Sequence, residues 1–294
     1  MLKSMPDTER VQIRLLVESD IPAAMQLKEL ARWNQTESDW RCLLRLGPGG
    51  CFGAWLDGSL VGTTTTTTYD PELGWIGMVL VNPENRRRGI ATRLIKTALD
   101  YLSGKVLTVK LDATPEGQPV YEGLGFEVES LIERWAGIAR AAPISFSNQI
   151  ETTAELDIEA RSELLALDRR AFGVDRSRLI EMLIEKACIA PVLARAADGR
   201  LSGYALAREG SNADYIGPLV TTDVAQAAPL LDRVLAQLTG RQVYVDVNSA
   251  CETGAGVLAD RGFVKQRDLI RMSYGTKTNT TSPWILAIAG PEVG

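Results

Sequence analysis

The sequence predicts a mixed α/β (α+β) protein of two tandem mixed-sheet domains flanked by helices. Three observations carry that expectation. The stretch Gly74 to Leu102 joins an apolar, β-branched run of strand length to an amphipathic helix through a proline turn. The same order of strands and helices returns beyond residue 150, where Gly262-Phe263 echoes Gly125-Phe126. With 294 residues and 45% apolar composition, the chain is long enough for two domains with their own cores. The expected division is 1–142 and 151–294, joined by a linker from Ala141-Ala142-Pro143 to Ile150.

In the first half, Val11 to Leu16 reads as a strand, and Asp20 is placed to cap a helix through Met25, Leu27, Leu30 and Ala31. Thr36 can cap a second helix carrying Trp40, Leu43, Leu44 and Leu46, which Gly47-Pro48-Gly49 stops. Asp57-Gly58 marks a hairpin between strands Gly50 to Trp55 and Leu60 to Thr68. The threonine run in the second of these suits a half-buried strand. Trp75 to Val81 is a buried strand closed by Asn82-Pro83. A stripe of Ile90, Ala91, Leu94, Ile95, Ala98, Leu99 and Leu102 then defines one face of a helix.

That helix begins where Arg86, Arg87, Arg88 and Gly89 fall. A helix start carries unpaired N–H groups, here those of Ile90, Ala91 and Thr92, and the positive end of a macrodipole. Glycine lets a ligand approach the backbone, and three arginines complete an anion cradle. Arg86-x-x-Gly89-x-Ala91 after a strand resembles the pyrophosphate-binding signature of the GNAT superfamily of N-acetyltransferases. The resemblance implies two GNAT-like domains and acetyl-CoA as cosubstrate, with Val79, Leu80 and Val81 pairing with its pantetheine arm. Neither a G-x-G-x-x-G nor a P-loop motif occurs in the chain.

Further on, a strand from Val106 to Leu111 precedes Tyr121-Glu122-Gly123-Leu124-Gly125-Phe126, and Glu133 to Arg140 would complete the sheet. The hexapeptide resembles the second GNAT motif, in which a tyrosine stands near the sulfur of acetyl-CoA. Tyr121 is thereby the candidate acid that protonates the leaving thiolate, a chemically reasonable role for a phenol. The implied mechanism is direct attack of a neutral amine, with backbone N–H groups near Leu80 and Val81 stabilising the oxyanion. In GNAT-like proteins the connection between the first two helices borders the acceptor site. Trp33, Asn34 and Gln35 fall there and, with Trp75, could line an acceptor pocket; Trp33 could equally staple the two helices together. Trp75 also stands where several family members carry a glutamate base. The base is left open among Glu72, Asp112, an acidic residue of the second half, or water.

The second half reads as helices from about Ile158 to Ala187, strands at Val192 to Ala196, Leu201 to Arg208 and Tyr215 to Val220, a helix from Val224 to Leu238, and a strand at Val243, Val245 and Val247. It has lost the chemistry. Thr221 to Ala227 offers no arginine or glycine and includes Asp223, and Leu258 stands where Tyr121 stands. This half is expected to be a degenerate copy that walls the acceptor site. The apolar stretch Trp284 to Ala289 reads as a strand without a legible partner.

Composition narrows the chemistry. The chain has no histidine, which removes the usual Ser-His-Asp, Cys-His and imidazole-metal sites. Its four cysteines, at 42, 51, 188 and 251, form no metal or disulfide pattern. A net charge of −5 argues against nucleic acid and favours a cationic or neutral acceptor. No run is long enough to span a membrane, and MLKSMPDTER lacks a signal core, so a cytoplasmic monomer or homodimer is expected. Rival readings are a non-catalytic acyl-CoA sensor or scaffold, and transfer from a longer acyl-CoA.

Overall fold

The computed structural model describes residues 11–69, 71–141, 149–249, 251–278, 280 and 282–294. The first half contributes β1 (Gln12–Leu15), α1 (Ile21–Leu30), α2 (Glu37–Leu46), β2 (Phe52–Leu56), β3 (Ser59–Tyr69), β4 (Leu73–Val81), α3 (Ile90–Leu102), β5 (Thr108–Ala113), α4 (Gln118–Glu122) and β6 (Glu127–Ile138). The second contributes β7 (Ile150–Thr152), α5 (Ile158–Phe172), α6 (Ser177–Glu185), β8 (Val192–Arg195), β9 (Leu201–Arg208), β10 (Asp214–Thr221), α7 (Ala227–Gln237), β11 (Gln242–Asn248), α8 (Glu252–Ala259), β12 (Val264–Gly275) and β13 (Ile285–Ala287). The expected linker falls largely on 142–148, outside the described residues, as does the 1–10 opening.

All the strands join one sheet, in the order β1-β2-β3-β4-β5-β12-β6-β11-β13-β10-β9-β8-β7. The halves have exchanged their closing strands. β12 lies antiparallel along β5, from Ile270 opposite Ala113 to Gly275 opposite Thr108. β6 lies along β11, from Gln242 opposite Ile138 to Asn248 opposite Ile132. β6 and β12 pair with each other between these two edges. Hydrogen bonding therefore crosses the 1–142/151–294 division, and so does the core: Trp40 and Trp75 share one apolar cluster with Phe172 and Tyr204.

Local chemistry explains most boundaries. Thr36 caps α2, its hydroxyl accepting from the Asp39 N–H. Asp20 does not cap α1 as expected; its carboxylate accepts from the Val17 N–H in the turn before the helix. Thr63 to Thr67 are buried on both faces, not one, because helices cover both sides of β3, and only Thr68 of the run is exposed. The Thr63 hydroxyl donates to the Met78 carbonyl and the Thr66 hydroxyl to that of Gly50, each at 2.8 Å.

β4 carries a bulge at Met78-Val79, where the register with β3 shifts and Met78 takes φ 49°. The inserted residue reverses the side-chain alternation. Leu73 and Trp75 face the same cluster as Met78 and Leu80, and Val79 turns to the α3 side.

A chain stopped at residue 142 leaves the edge of β5 unpaired, β6 without either neighbour, and Trp75 uncovered. It is expected to aggregate or to show no cooperative thermal transition by circular dichroism. A monomeric 1–142 fragment with a sharp transition would show that the exchange is dispensable.

Candidate active site

β4 and β5 run parallel but pair only at their first residues, Leu73 with Thr108, Gly74 with Val109 and Trp75 with Lys110. Beyond Trp75 they part. The gap widens into a cavity of about 650 Å³ lined by Ile76 to Val81 of β4, Leu111 and Asp112 of β5, the start of α3, and Tyr121. The edge of β4 left without a strand partner presents backbone groups to whatever enters the cleft.

The α3 end is built for an anion. Gly89 takes φ 72°, and a Cβ placed there would meet no protein atom within 4 Å, so the position opens onto free volume. Behind it the N–H groups of Ile90, Ala91 and Thr92 lead the helix, and these three residues line the cavity with Gly89, Arg86 and Arg87. Arg86 is steadied by a contact from its Nε to the Val81 carbonyl at 3.4 Å. Arg88, grouped with them in the sequence, does not line the cavity and is engaged elsewhere.

Tyr121 sits on α4 with its ring edge-on to Phe126. Among the described residues its hydroxyl has no hydrogen-bond partner, and burial raises its pKa well above the ordinary tyrosine value. The phenol thus keeps its proton through the neutral range.

The opposite wall comes from the 288–294 segment, which packs against the β4 bulge. A Cβ on Gly77 would stand 2.5 Å from the Glu292 carbonyl, so glycine there is a condition of the contact. The segment is pinned by Trp75 Nε1 donating to the Pro291 carbonyl (2.9 Å), the Tyr69 hydroxyl to Val293 (2.7 Å) and Arg176 Nη1 to Gly294 (2.6 Å). This places the Glu292 carboxylate in the cavity, 5% exposed. Its oxygens accept from Gln35 Nε2 at 2.9 Å and from Arg208 Nη2 at 3.1 Å. Burial raises the Glu292 pKa against the pull of Arg208, with Asp39 adding to the rise. Arg208 is held in turn by the Ala289 carbonyl and lies over the Tyr215 ring.

The expected acceptor residues divide. Trp33 and Gln35 line the cavity. Asn34 does not: it is buried as a clasp between the halves, its amide donating to the Ala213 carbonyl and accepting from the N–H groups of Asn212 and Ala213. Trp75 is fully buried beneath the 288–294 segment and is excluded from the cavity, because its indole N–H and ring face are both covered.

Of the candidate bases, Glu72 is exposed and does not line the cavity. Asp112 lines it, but both its oxygens are held by Arg271 at 2.8 Å. An acidic residue of the second half is present as Glu292. Its proximity was illegible in sequence, since it lies more than two hundred positions from β4 in a stretch with no motif. Arg134, Arg208 and Arg267 likewise carry no local motif.

The second unit repeats the geometry without the opening. β10 and β11 pair in parallel at Asp214–Val243, Tyr215–Tyr244 and Ile216–Val245, and then part. There β13 fills the gap, Ala287 lying opposite both Leu219 and Val247. Leu258 matches Tyr121: its carbonyl accepts from Phe263 N–H at 3.1 Å, as that of Tyr121 does from Phe126.

Residues 17–126 match the model of the acetyltransferase (GNAT) family, and residues 164–284 match an acetyltransferase (GNAT) domain model. An uncharacterised N-acetyltransferase of Bacillus subtilis (strain 168), YitH, is 27% identical over 74% of this chain and 76% of its own length. A candidate acetyltransferase from Pyrococcus horikoshii has a similar fold, with TM-score 0.84 and 22% identity over 100% of this chain and 99% of that one. A tandem GNAT protein from the clavulanic acid biosynthesis pathway aligns with TM-score 0.66 and 17% identity over 92% and 99%.

Removing the guanidinium of Arg208 leaves Glu292 buried and short of its cation. Arg208→Met is expected to lower unfolding free energy by about 3–5 kcal/mol, read from urea denaturation. A loss below about 1 kcal/mol, the range of an exposed pair, would show that the carboxylate is not held as described.

Proposed function

This chain belongs to the GNAT acetyltransferases as a tandem of two units, the second degenerate, and on that premise we propose that it moves an acetyl group from acetyl-CoA to the amine of a small molecule. The observation that carries the reading is one cavity in which an anion-receiving helix start, an unpaired strand edge, a buried phenol and a buried carboxylate converge.

When bound, acetyl-CoA supplies a thioester carbonyl and a thiolate leaving group. Arg86, Arg87, Gly89 and the first N–H groups of α3 hold its diphosphate. The open edge of β4, through Val79, Leu80 and Val81, holds the pantetheine arm and offers N–H groups to the developing oxyanion. Glu292 accepts the proton of the attacking amine. Its raised pKa suits that task, because a base works best when its pKa lies near the working pH. Tyr121 gives its proton to the sulfur as the C–S bond breaks. The amine attacks directly in a ternary complex, with no covalent enzyme intermediate.

Residues of the 288–294 segment and of β12 line the cleft together with the start of α3, which supports a small acceptor. The slot of the second unit is filled by β13, which supports one acetyl-CoA per chain.

Calorimetry is expected to give one site per chain for acetyl-CoA, abolished by Gly89→Glu, a variant that keeps its fold by circular dichroism with a melting temperature lowered by the strain of a side chain at positive φ. Two equivalent sites, or unchanged affinity in the variant, would refute the cradle.

Coenzyme A release with a panel of amines tests the transfer. Tyr121→Phe and Glu292→Gln are each expected to lower turnover by about 10²-fold or more, with acetyl-CoA affinity kept. In the parent, turnover rises with pH as Glu292 loses its proton, at a pH above the ordinary glutamate range. Glu292→Gln should remove that rise. A parent that releases no coenzyme A with any amine is a binder of acyl-CoA and not a transferase.

A further inference from the structure

The cross-strand charges of β5, β12, β6 and β11 do not pair off evenly. On β12, Arg271 lies opposite Asp112 of β5, and Arg267 lies opposite Arg134 of β6, which in turn lies opposite Asp246 of β11. Three guanidinium groups thus face two carboxylates. Asp112 is held by Arg271 through both oxygens, and Asp246 is held by Arg134 through both, at 2.7 and 2.6 Å. Asp246 also accepts from the Tyr215 hydroxyl, so its capacity is used.

Arg267 is left over. It lines the cavity, and among the described residues it makes no ion pair and no hydrogen bond. Its Nε is shut off from solvent without a partner. Glu116, the other acid near it, is exposed at the rim before α4 and does not bond to it. Burial and the neighbouring Arg134 both act against its charge. Arg267 as a whole is only partly buried, so its Nε bears the cost of a hydrogen bond not made while the rest of the guanidinium stays open to an anion that enters the cavity.

The same cavity is also lined by a residue with an unmet acceptor. Gln35 donates its amide N–H to Glu292, and its Oε1 is buried with no donor. Gln35 and Glu292 both line the cavity, and acceptor oxygens there outnumber the donors that meet them. The lining therefore lacks an anion for Arg267 and a donor for Gln35.

We propose that the acceptor is an amino acid, its carboxylate paired with Arg267 and its amine set against Glu292 and Gln35. This rests on the transfer reading and names its substrate class. A carboxylate fits better than a phosphate. Its single charge matches the single uncompensated guanidinium, whereas a dianion would leave a second negative charge in a cavity that already holds Glu292. Arg267 is a specificity residue for the acceptor, remote from the diphosphate cradle at α3.

The test is calorimetric titration of the full chain, alone and with coenzyme A, using the protein amino acids, their decarboxylated amines (phenethylamine, cadaverine, agmatine and the rest) and phosphoethanolamine. At least one amino acid is expected to bind about 10- to 100-fold more tightly than its amine, the range for a charge-assisted bidentate pair. Arg267→Met should erase that preference and Arg267→Lys should keep part of it. Coenzyme A affinity should not change, and thermal stability should hold or rise, which a structural arginine would not allow.

Amines that bind as well as the amino acids would overturn the inference, as would a preference that survives Arg267→Met. So would phosphoethanolamine binding more tightly than every amino acid, or no binding by any member of the panel. Coenzyme A release separates the two readings. Amino-acid binding without release keeps the anion site and removes the transferase, and release that ignores the carboxylate keeps the transferase and removes this inference.

Discussion

The exchange of β6 and β12 is the constraint from which the rest of the molecule follows. An open sheet edge is a liability, and each half ends in one, β5 in the first and β11 in the second. Each edge is covered by the closing strand of the other half, and the two closing strands pair with each other. The result is a continuous sheet in which neither half is complete, so the acceptor side of the first unit is necessarily built from both.

Buried ion pairs set the register of that exchange. Asp112 meets Arg271 and Arg134 meets Asp246 as direct cross-strand neighbours, each pair joining one half to the other. Such pairs contribute little net stability, but a slip of one residue would bury four charges without partners. Lys186 with Asp39 and the Asn34 clasp repeat the device at the helical layer. Specific pairing of the halves is what these groups secure.

One stretch of chain does two things at the sheet. β13 occupies the gap between β10 and β11, the counterpart of the gap that is a cavity between β4 and β5. Leaving β13, the chain crosses to the β4 bulge and lays Glu292 against Gly77. Closing the second slot and furnishing the first are consequences of a single path. The second unit, lacking the arginine, glycine and tyrosine of the first, has β13 where the first has its cavity.

Much of this was determined by sequence alone, and the reason is locality. The strand, turn and helix from Leu73 to Leu102, the Gly89 corner, the Tyr121 helix and the repeat of the pattern all depend on residues within a few turns of each other. Periodicity and turn chemistry report such features directly. What the tertiary structure decided depends on residues far apart. Trp75 read as an acceptor contact because it lies on the central strand, yet the 288–294 segment covers it. Asn34 read as a pocket amide, and the Asn212–Ala213 backbone claims it. Glu292 and Arg267 carry no local signature, since a lone glutamate or arginine acquires meaning only from what folding leaves beside it. The exchange of strands is of the same kind: β6 and β12 have the pattern of closing strands whichever edge they close, and only the pairing of Arg134 with Asp246 and Arg271 with Asp112 selects the partner.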